Sequence, residues 1–315
     1  MASPHSDKPF PTLKIGLLNP NGMSSVSRTD QNNNTYQLNK LQVLLQEANT
    51  LGLSILGLSE THHFKFPANM REFSSEHEDS ASGGASLVIL DETISVIPQN
   101  VVKGYNYILA PLLKNGTLFH VLVVYLHPEL ENAKKTIKET KKFSSLGNLI
   151  VLGDMNCIGS IAPINSSTSR KDPLRAKFNH WCDKLSVVDT IYYHFPPTQL
   201  GQHTRISGAS SSRIDQILAS PDISWRTRTH STKTSFSDHN MVYIHISDSP
   251  TESIGTPKAR NSPRVKPYMV APAADKIDNL ISKFFPPHKS YEPNQAASKM
   301  ESLKKALPPI IIKAW

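Results

Sequence analysis

The chain has 315 residues, a hydrophobic fraction of 38%, two cysteines and a formal charge of +8 at pH 7. No apolar run approaches the roughly 18 residues of a membrane-spanning helix, and the start from Met1 to Lys8 lacks the apolar stretch of a secretory signal. Cys157 and Cys182 cannot build a disulfide framework or a zinc site, so membrane, exported and disulfide-stapled classes are set aside and a reducing, intracellular setting is expected.

Residues Met1 to Pro11 are polar and proline-bearing and read as a disordered lead-in. Order is expected from Lys14. Short apolar runs of strand character follow at Ile15 to Leu18, Ile55 to Leu58, Ser86 to Leu90, Tyr107 to Leu112, Phe119 to Tyr125, Leu149 to Leu152, Val187 to Ile191, Ile214 to Leu218 and Met241 to Ile246. Helical spacing appears at Leu38, Leu41, Leu45 and Ala48. It appears again at Leu174, Phe178, Trp181 and Leu185, behind Asp172 as cap and Pro173 in the first turn. Many strands with few helices predict an α/β sandwich of four layers, two mostly antiparallel sheets face to face with helices on the outside. Lys134, Lys138, Lys141 and Lys142 share a helical face that reads as solvated.

After Asp248 the character changes. Nine of the 23 prolines lie between Pro257 and Pro309, and from Thr251 to Trp315 eleven Lys/Arg face five Asp/Glu, which carries +6 of the net charge. Residues 249–315 therefore read as a basic, proline-rich linker with two short amphipathic pieces, Ala274 to Phe285 and Ala296 to Leu307. The chain is expected to be the front portion of something longer. A basic segment beside a nearly neutral domain, 12–248, suits a polyanion such as nucleic acid; a solvated linker would have the same composition.

The chemistry-bearing residues cluster at strand ends, where folding exposes side chains to substrate. Asn19 and Asn21 follow the first strand, Glu60 the second, Tyr125 and His127 the Phe119 strand, and Asp154 and Asn156 the Leu149 strand. Asp215 lies in Arg213-Ile214-Asp215, and Asp238 and His239 precede the last strand. Carboxylates and amides from six segments suit a hard cation, Mg²⁺ or Mn²⁺, better than zinc. Singly, each has a plainer reading. Glu60 could be a cap or surface charge, Asp154 and Asn156 an Asx turn, and His239 a surface histidine. Asp215, flanked by Ile214 and Ile217, needs a partner to offset its burial.

The segments Leu18-Asn19-Pro20-Asn21-Gly22-Met23, Ser59-Glu60-Thr61-His62, Tyr125-Leu126-His127-Pro128, Gly153-Asp154-Met155-Asn156, Ser212-Arg213-Ile214-Asp215-Gln216-Ile217-Leu218 and Ser237-Asp238-His239 together resemble the ordered motifs of the exonuclease-endonuclease-phosphatase superfamily. The resemblance runs from Lys14 to about Ile246. It implies Glu60 as principal metal ligand with Asn21 or Asp238 nearby, Asp154 as the group that orients and deprotonates water, and Asn156 as an amide donor in the same site. It further implies His239 as donor to a phosphate oxygen, held by Asp215, with Tyr125 and Asn19 completing the phosphate cradle.

Two positions depart from the DNA-repair branch, which has an asparagine soon after the turn tyrosine and an aspartate where Asn21 stands. Arg213-Ile214-Asp215 looks more like the endonuclease that opens LINE-type (non-LTR) retrotransposon polyproteins. Thr204 and the Gly/Ser-rich loop Ser207 to Ser212 resemble that branch's DNA-contacting hairpin, so Thr204, Arg205, Ser207, Ser212 and Arg213 are expected on DNA. The implied activity is nicking of double-stranded DNA in the nucleus. It leaves a 3′-hydroxyl to prime a reverse transcriptase domain that follows this segment. Rival readings are an abasic-site repair nuclease and a catalytically silent DNA-binding module.

Overall fold

The computed structural model describes residues 10–29, 35–62, 64–76, 83–157, 173–193, 203–207, 210–224, 226–232, 234 and 236–247. In chain order these form β1 (Leu13–Leu18), β2 (Val26–Thr29), β3 (Thr35–Leu38), α1 (Lys40–Leu51), β4 (Ile55–Ser59), β5 (Glu72–Ser74), β6 (Ala85–Ile89), β7 (Ser95–Val96) and β8 (Val102–Gly104). Then come β9 (Tyr107–Lys114), β10 (Thr117–Tyr125), α2 (Leu130–Thr140), β11 (Leu149–Asp154), α3 (Pro173–Leu185) and β12 (Val188–Asp189). The last are β13 (Arg205–Ser207), β14 (Ser210–Ser212), β15 (Asp215–Ala219), α4 (Pro221–Ser224), β16 (Thr227–Thr232) and β17 (Met241–Ile246). All belong to the first of two units into which the chain divides, Met1–Glu252. The second, Ser253–Trp315, and the two amphipathic pieces expected in it lie outside the described residues.

One sheet has the order β16-β17-β1-β4-β6-β5, the other β12-β15-β11-β10-β9-β7 with β8 also on β9. Each contains one parallel pair, β1 with β4 and β10 with β11, among antiparallel neighbours. The central strands are apolar on both faces because both are covered. In β10, Val121 and Val123 point into the core between the sheets while Leu122 and Val124 meet the helices outside, as the two-residue period requires. Ile15, Leu17, Ile55 and Leu87 face them from the other sheet. Gly57 lets the sheets approach: a Cβ there would stand 2.7 Å from a Leu152 methyl. The expected sandwich of sheets with outer helices is therefore what forms, with both sheets mixed.

The outer layers follow from the stripes. In α3, Leu174, Phe178, Trp181 and Leu185 are the buried residues, each contributing ~1.5–3 kcal/mol by leaving water, and Trp181 Nε1 donates to Thr140 Oγ1 at 2.9 Å. In α1 the buried face is Lys40, Leu41, Leu44 and Ala48. Leu45 is only partly buried and Leu38 ends β3. The helix starts two residues later than the spacing predicts because Asn39 caps it, its side chain accepting from Gln42 N. The four lysines of the α2 region are at least partly exposed, and Lys134 pairs with Glu131. At the N-terminus order starts earlier than expected, since Phe10 is buried edge-on against Phe119. Cys157 is buried in the core beneath α3, and Cys182, on α3, is partly buried against it.

Candidate active site

The parallel pairs bring four strand C-termini to one rim. Tyr125 ends β10 and Asp154 ends β11, paired in register, and on Asp154's other side lies Asp215, the first residue of antiparallel β15. Three site residues thus sit in one row across three strands. From the facing sheet come Asn19, just past β1, Glu60, just past β4, and His239, two residues before β17.

Asn19 joins the two sheets. Its buried Nδ2 donates to Glu60 Oε2 and to Asp154 Oδ2, both at 2.8 Å, and its Oδ1 accepts from Asn21 N. Tyr125 OH donates to the other Glu60 oxygen at 3.3 Å. Asp215 Oδ2 and His239 Nδ1 lie 2.8 Å apart, both groups buried. Ser237 Oγ fixes that loop, donating to Asn19 O at 2.7 Å while accepting from His239 N.

Asp154 forms the Asx turn of its plainer sequence reading and also stands at the rim beside Asn19. Its Oδ1 accepts from Asn156 N at 2.9 Å, an Asx turn, while Oδ2 holds Asn19. Strand geometry stops at Asp154, and Asn156 turns back with φ 45° so that its amide donates to Leu126 O. It reaches the site through a turn, and strand alternation plays no part.

Burial pushes the Asp154 carboxyl up to about 7, the adjacent Asp215 charge pushing the same way against His239 and two hydrogen bonds. For His239, burial favours the neutral ring, but the hydrogen bond and charge of Asp215, with Asp154 and Asp238 behind, raise it above its ordinary value. Burial and the charges of Glu60 and Asp154 hold the Tyr125 hydroxyl protonated. The site thus pairs a carboxyl poised near neutrality with a ring that prefers its proton.

Ligand-type atoms of Asp154, Asp215 and His239 lie within 4.8 Å of one another. Asp215 and His239 already bond each other, and Asp154 stands beside Asp215 in the strand register. Glu60 and Asp238 add further carboxylate oxygens that could hold a cation. Asp238 Oδ1 is buried with no hydrogen-bond partner, 3.9 Å from His239 Nε2, and the Glu60 carboxylate is 21% exposed. Such all-oxygen donors fit a hard divalent ion. Asn21 is exposed in the adjoining loop, reaching Asn19 through its backbone.

The hairpin residues separate. Arg205 is exposed, its Nε donating to Asp238 Oδ2 at 3.1 Å, and Glu60 and Asp154 also act on its charge. Thr204 is buried, its Oγ1 accepting from Ile214 N and Asp215 N, so it sets the start of β15. Arg213 is also buried, ion-paired with Asp189 at 2.7 Å, and does not reach the hairpin surface. Ser207 ends β13 and Ser212 ends β14, residues 208–209 between the strands lie outside the described residues, and Ser212 is partly buried.

Two contributors escaped sequence reasoning. Lys40, at the first turn of α1, is buried and donates to Pro20 O, Asn21 O and Gly22 O at 2.8, 3.1 and 2.7 Å, stapling the loop behind Asn19. Burial lowers its pKa against the pull of Asp238. His62 lies 3.6 Å from Glu60, packed so closely on Gly22 that a Cβ there would stand 2.5 Å from its Nδ1. A lysine at a helix start gives no signal of burial, whereas His62 lay inside a recognised segment.

Neither a protein-family model nor the sequence of a characterised protein matches the chain. Solved structures do. The endonuclease domain of TRAS1, a telomere-specific non-LTR retrotransposon, matches with a TM-score of 0.55 at 17% identity, over 75% of this chain and 98% of that one. The AP endonuclease LMAP from Leishmania major matches with 0.57 at 12% identity, over 75% and 87%. No described helix is long and apolar enough to cross a membrane. The chain has the fold of these two endonucleases, and Asn19, Glu60, Tyr125, Asp154, Asp215 and His239 from its sequence motifs meet at the rim where the two sheets converge.

Proposed function

We propose that the chain is a metal-dependent endonuclease that nicks double-stranded DNA by phosphodiester hydrolysis. The observation that carries this reading is the Asn19 bridge between Glu60 and Asp154, set beside the buried Asp215–His239 pair. Hydrolysis of an anionic diester needs a base for water, donors for the phosphoryl oxygens and neutralisation of charge. Asp154, poised near neutrality, accepts the proton of the attacking water. His239, oriented by Asp215, donates to a non-bridging oxygen, with Asn156 as a neutral donor, while Asn19 and Tyr125 hold the Glu60 and Asp154 carboxylates beside it. Mg²⁺ or Mn²⁺, held by Glu60 with Asp238 and Asn21, would supply the positive charge.

The likeness to the TRAS1 domain, together with Arg213-Ile214-Asp215, supports the retrotransposon branch. In that reading the nick leaves a 3′-hydroxyl that primes a reverse transcriptase domain following residues 249–315, and the target is nuclear DNA. The exposed Arg205 on β13 contributes to DNA contact. The likeness to an AP endonuclease supports a second reading, cleavage at abasic sites. Supercoiled plasmid incubated with Mg²⁺ tests both. Relaxation that requires metal and is abolished in Asp154→Ala is expected; binding without cleavage refutes the enzyme, and a strong preference for abasic duplex over intact duplex selects repair.

A further inference from the structure

The loop leaving Glu60 borders a cavity that the proposed hydrolysis does not use. It encloses about 400 Å³ and is lined chiefly by Thr61, Phe64, Lys65, Phe66, Glu72 and Ser74, a size within the ~300–1,000 Å³ of small-molecule sites. It is joined to the catalytic rim at two points. Thr61 follows Glu60 directly, and Gly84, also on the wall, accepts from Glu60 N at 2.7 Å.

The lining has a specific chemistry. Phe64 and Phe66 meet edge to face, ring centres 5.0 Å apart at 89°, and both pack on the core beneath α1 while staying only partly buried. Glu72 accepts from the Ser74 hydroxyl, and Ser74 Oγ also lies 2.8 Å from Ser86 Oγ. Burial raises the Glu72 carboxyl above its ordinary value. Lys65 is exposed. Half-open aromatic faces, a carboxyl with a hydroxyl, and an exposed lysine are three elements that hold a nucleotide: stacking for the base, hydrogen bonds for its edge, charge for its phosphate.

We propose that this cavity receives one base of the DNA strand beside the scissile phosphate, stacked on Phe66 with Phe64 against its edge, its polar edge bonded by Glu72 and Ser74 and its phosphate facing Lys65. The assignment rests on the endonuclease reading for its substrate. It places a base-selecting contact on the Glu60 side of the rim, apart from the β13–β14 hairpin.

Two measurements on the full chain test it, with Phe66→Ala and the near-isosteric Glu72→Gln, both verified as folded by circular dichroism. Nick sites on a plasmid are mapped by sequencing and normalised to total nicks, so that any loss of rate drops out. Separately, 2-aminopurine is scanned along a short DNA strand and its fluorescence followed on binding in EDTA, where no cleavage is required. The wild type should show a base bias at one position beside the nick and a fluorescence change at one position. Both variants should weaken the bias ~5-fold or more, as expected for one lost base contact, and should lose the fluorescence change. Variant and wild-type nick patterns that superimpose, with unaltered fluorescence, overturn the pocket. Absence of nicking with a fluorescence change that the variants lose overturns the endonuclease reading and leaves the pocket standing; absence of both overturns both.

Discussion

Replacing Asp154 by asparagine converts its burial into a measurable stability. The carboxyl is 2% exposed, and burial with the Asp215 charge carries it from 3.8 to about 7. A group that holds its proton more tightly folded than unfolded contributes stability that is complete below its unfolded value and lost as pH rises through its folded value. For Asp154 that window runs from about pH 4 to about pH 7, and the loss is ~4 kcal/mol at ~1.4 kcal/mol per pH unit. Asp154→Asn cannot ionise and escapes it. The new amide also meets the Asn19 donor, which costs ~1–2 kcal/mol, but this penalty does not depend on pH. Urea melts in EDTA at about pH 4.5 and about pH 8.5 should therefore show the difference between variant and wild type moving in the variant's favour by ~3 kcal/mol, since ~1 kcal/mol of the loss already lies below pH 4.5. EDTA matters because a bound cation would favour the ionised carboxylate. Stability differences that stay constant across that range refute burial as the origin of the raised value.

Asp215→Asn removes the hydrogen bond and charge that raise His239, so if the imidazolium is the active form the alkaline limb of kcat/KM for nicking should move to lower pH; an unmoved limb separates Asp215 from that role. Lys40→Met leaves three carbonyls without their ammonium donor and should destabilise the fold by ~3 kcal/mol in denaturant melts, with less than ~1 kcal/mol contradicting the staple. Gly22→Ala places a methyl on the His62 ring at φ +72°, and should lower nicking at least ~10-fold by displacing the Glu60–His62 turn, at a stability cost of ~1 kcal/mol; wild-type kinetics would show that the turn tolerates movement.

The central strands were legible because burial on both faces writes continuous apolar runs, and α3 because its four inward residues keep helical spacing. β16 was not: its sequence is Thr-Arg-Thr-His-Ser-Thr, and its inward residues Thr227 and Thr229 are polar. Thr229 is satisfied by the hydroxyl of Thr190, 2.9 Å away, itself bonded to Ile217 O, a long-range pairing that composition does not announce. β5, β7 and β8 are two or three residues long, too short for a period. In the site, residue types at strand ends pointed to six of the segments that meet, while orientation was beyond reach. Arg213 and Thr204 look alike in a row of polar residues, yet the fold turns both inward to fix β12 and β15.

Among the described residues, four of the seven non-glycine positions with positive φ, Asn21, Glu60, His62 and Asn156, fall at this rim. Asparagine tolerates that region through its short polar side chain; glutamate and histidine do so at a cost. Glu60 and His62 are held there by hydrogen bonds from their own N–H groups to Gly84 O and Gly83 O, and by Gly22 N donating to Glu60 O. The strain is therefore imposed by neighbouring backbone, which the two packed sheets keep rigid. Turning Glu60 into left-handed backbone at the end of a buried strand exposes a carboxylate that continued strand geometry would leave among Leu56, Leu58 and their neighbours. The same rim buries Asp154 beside Asp215, an arrangement that weakens the metal-free fold as pH rises and that a bound cation would relieve. Stability sacrificed at these residues is what makes the site responsive to the charges it is proposed to bind.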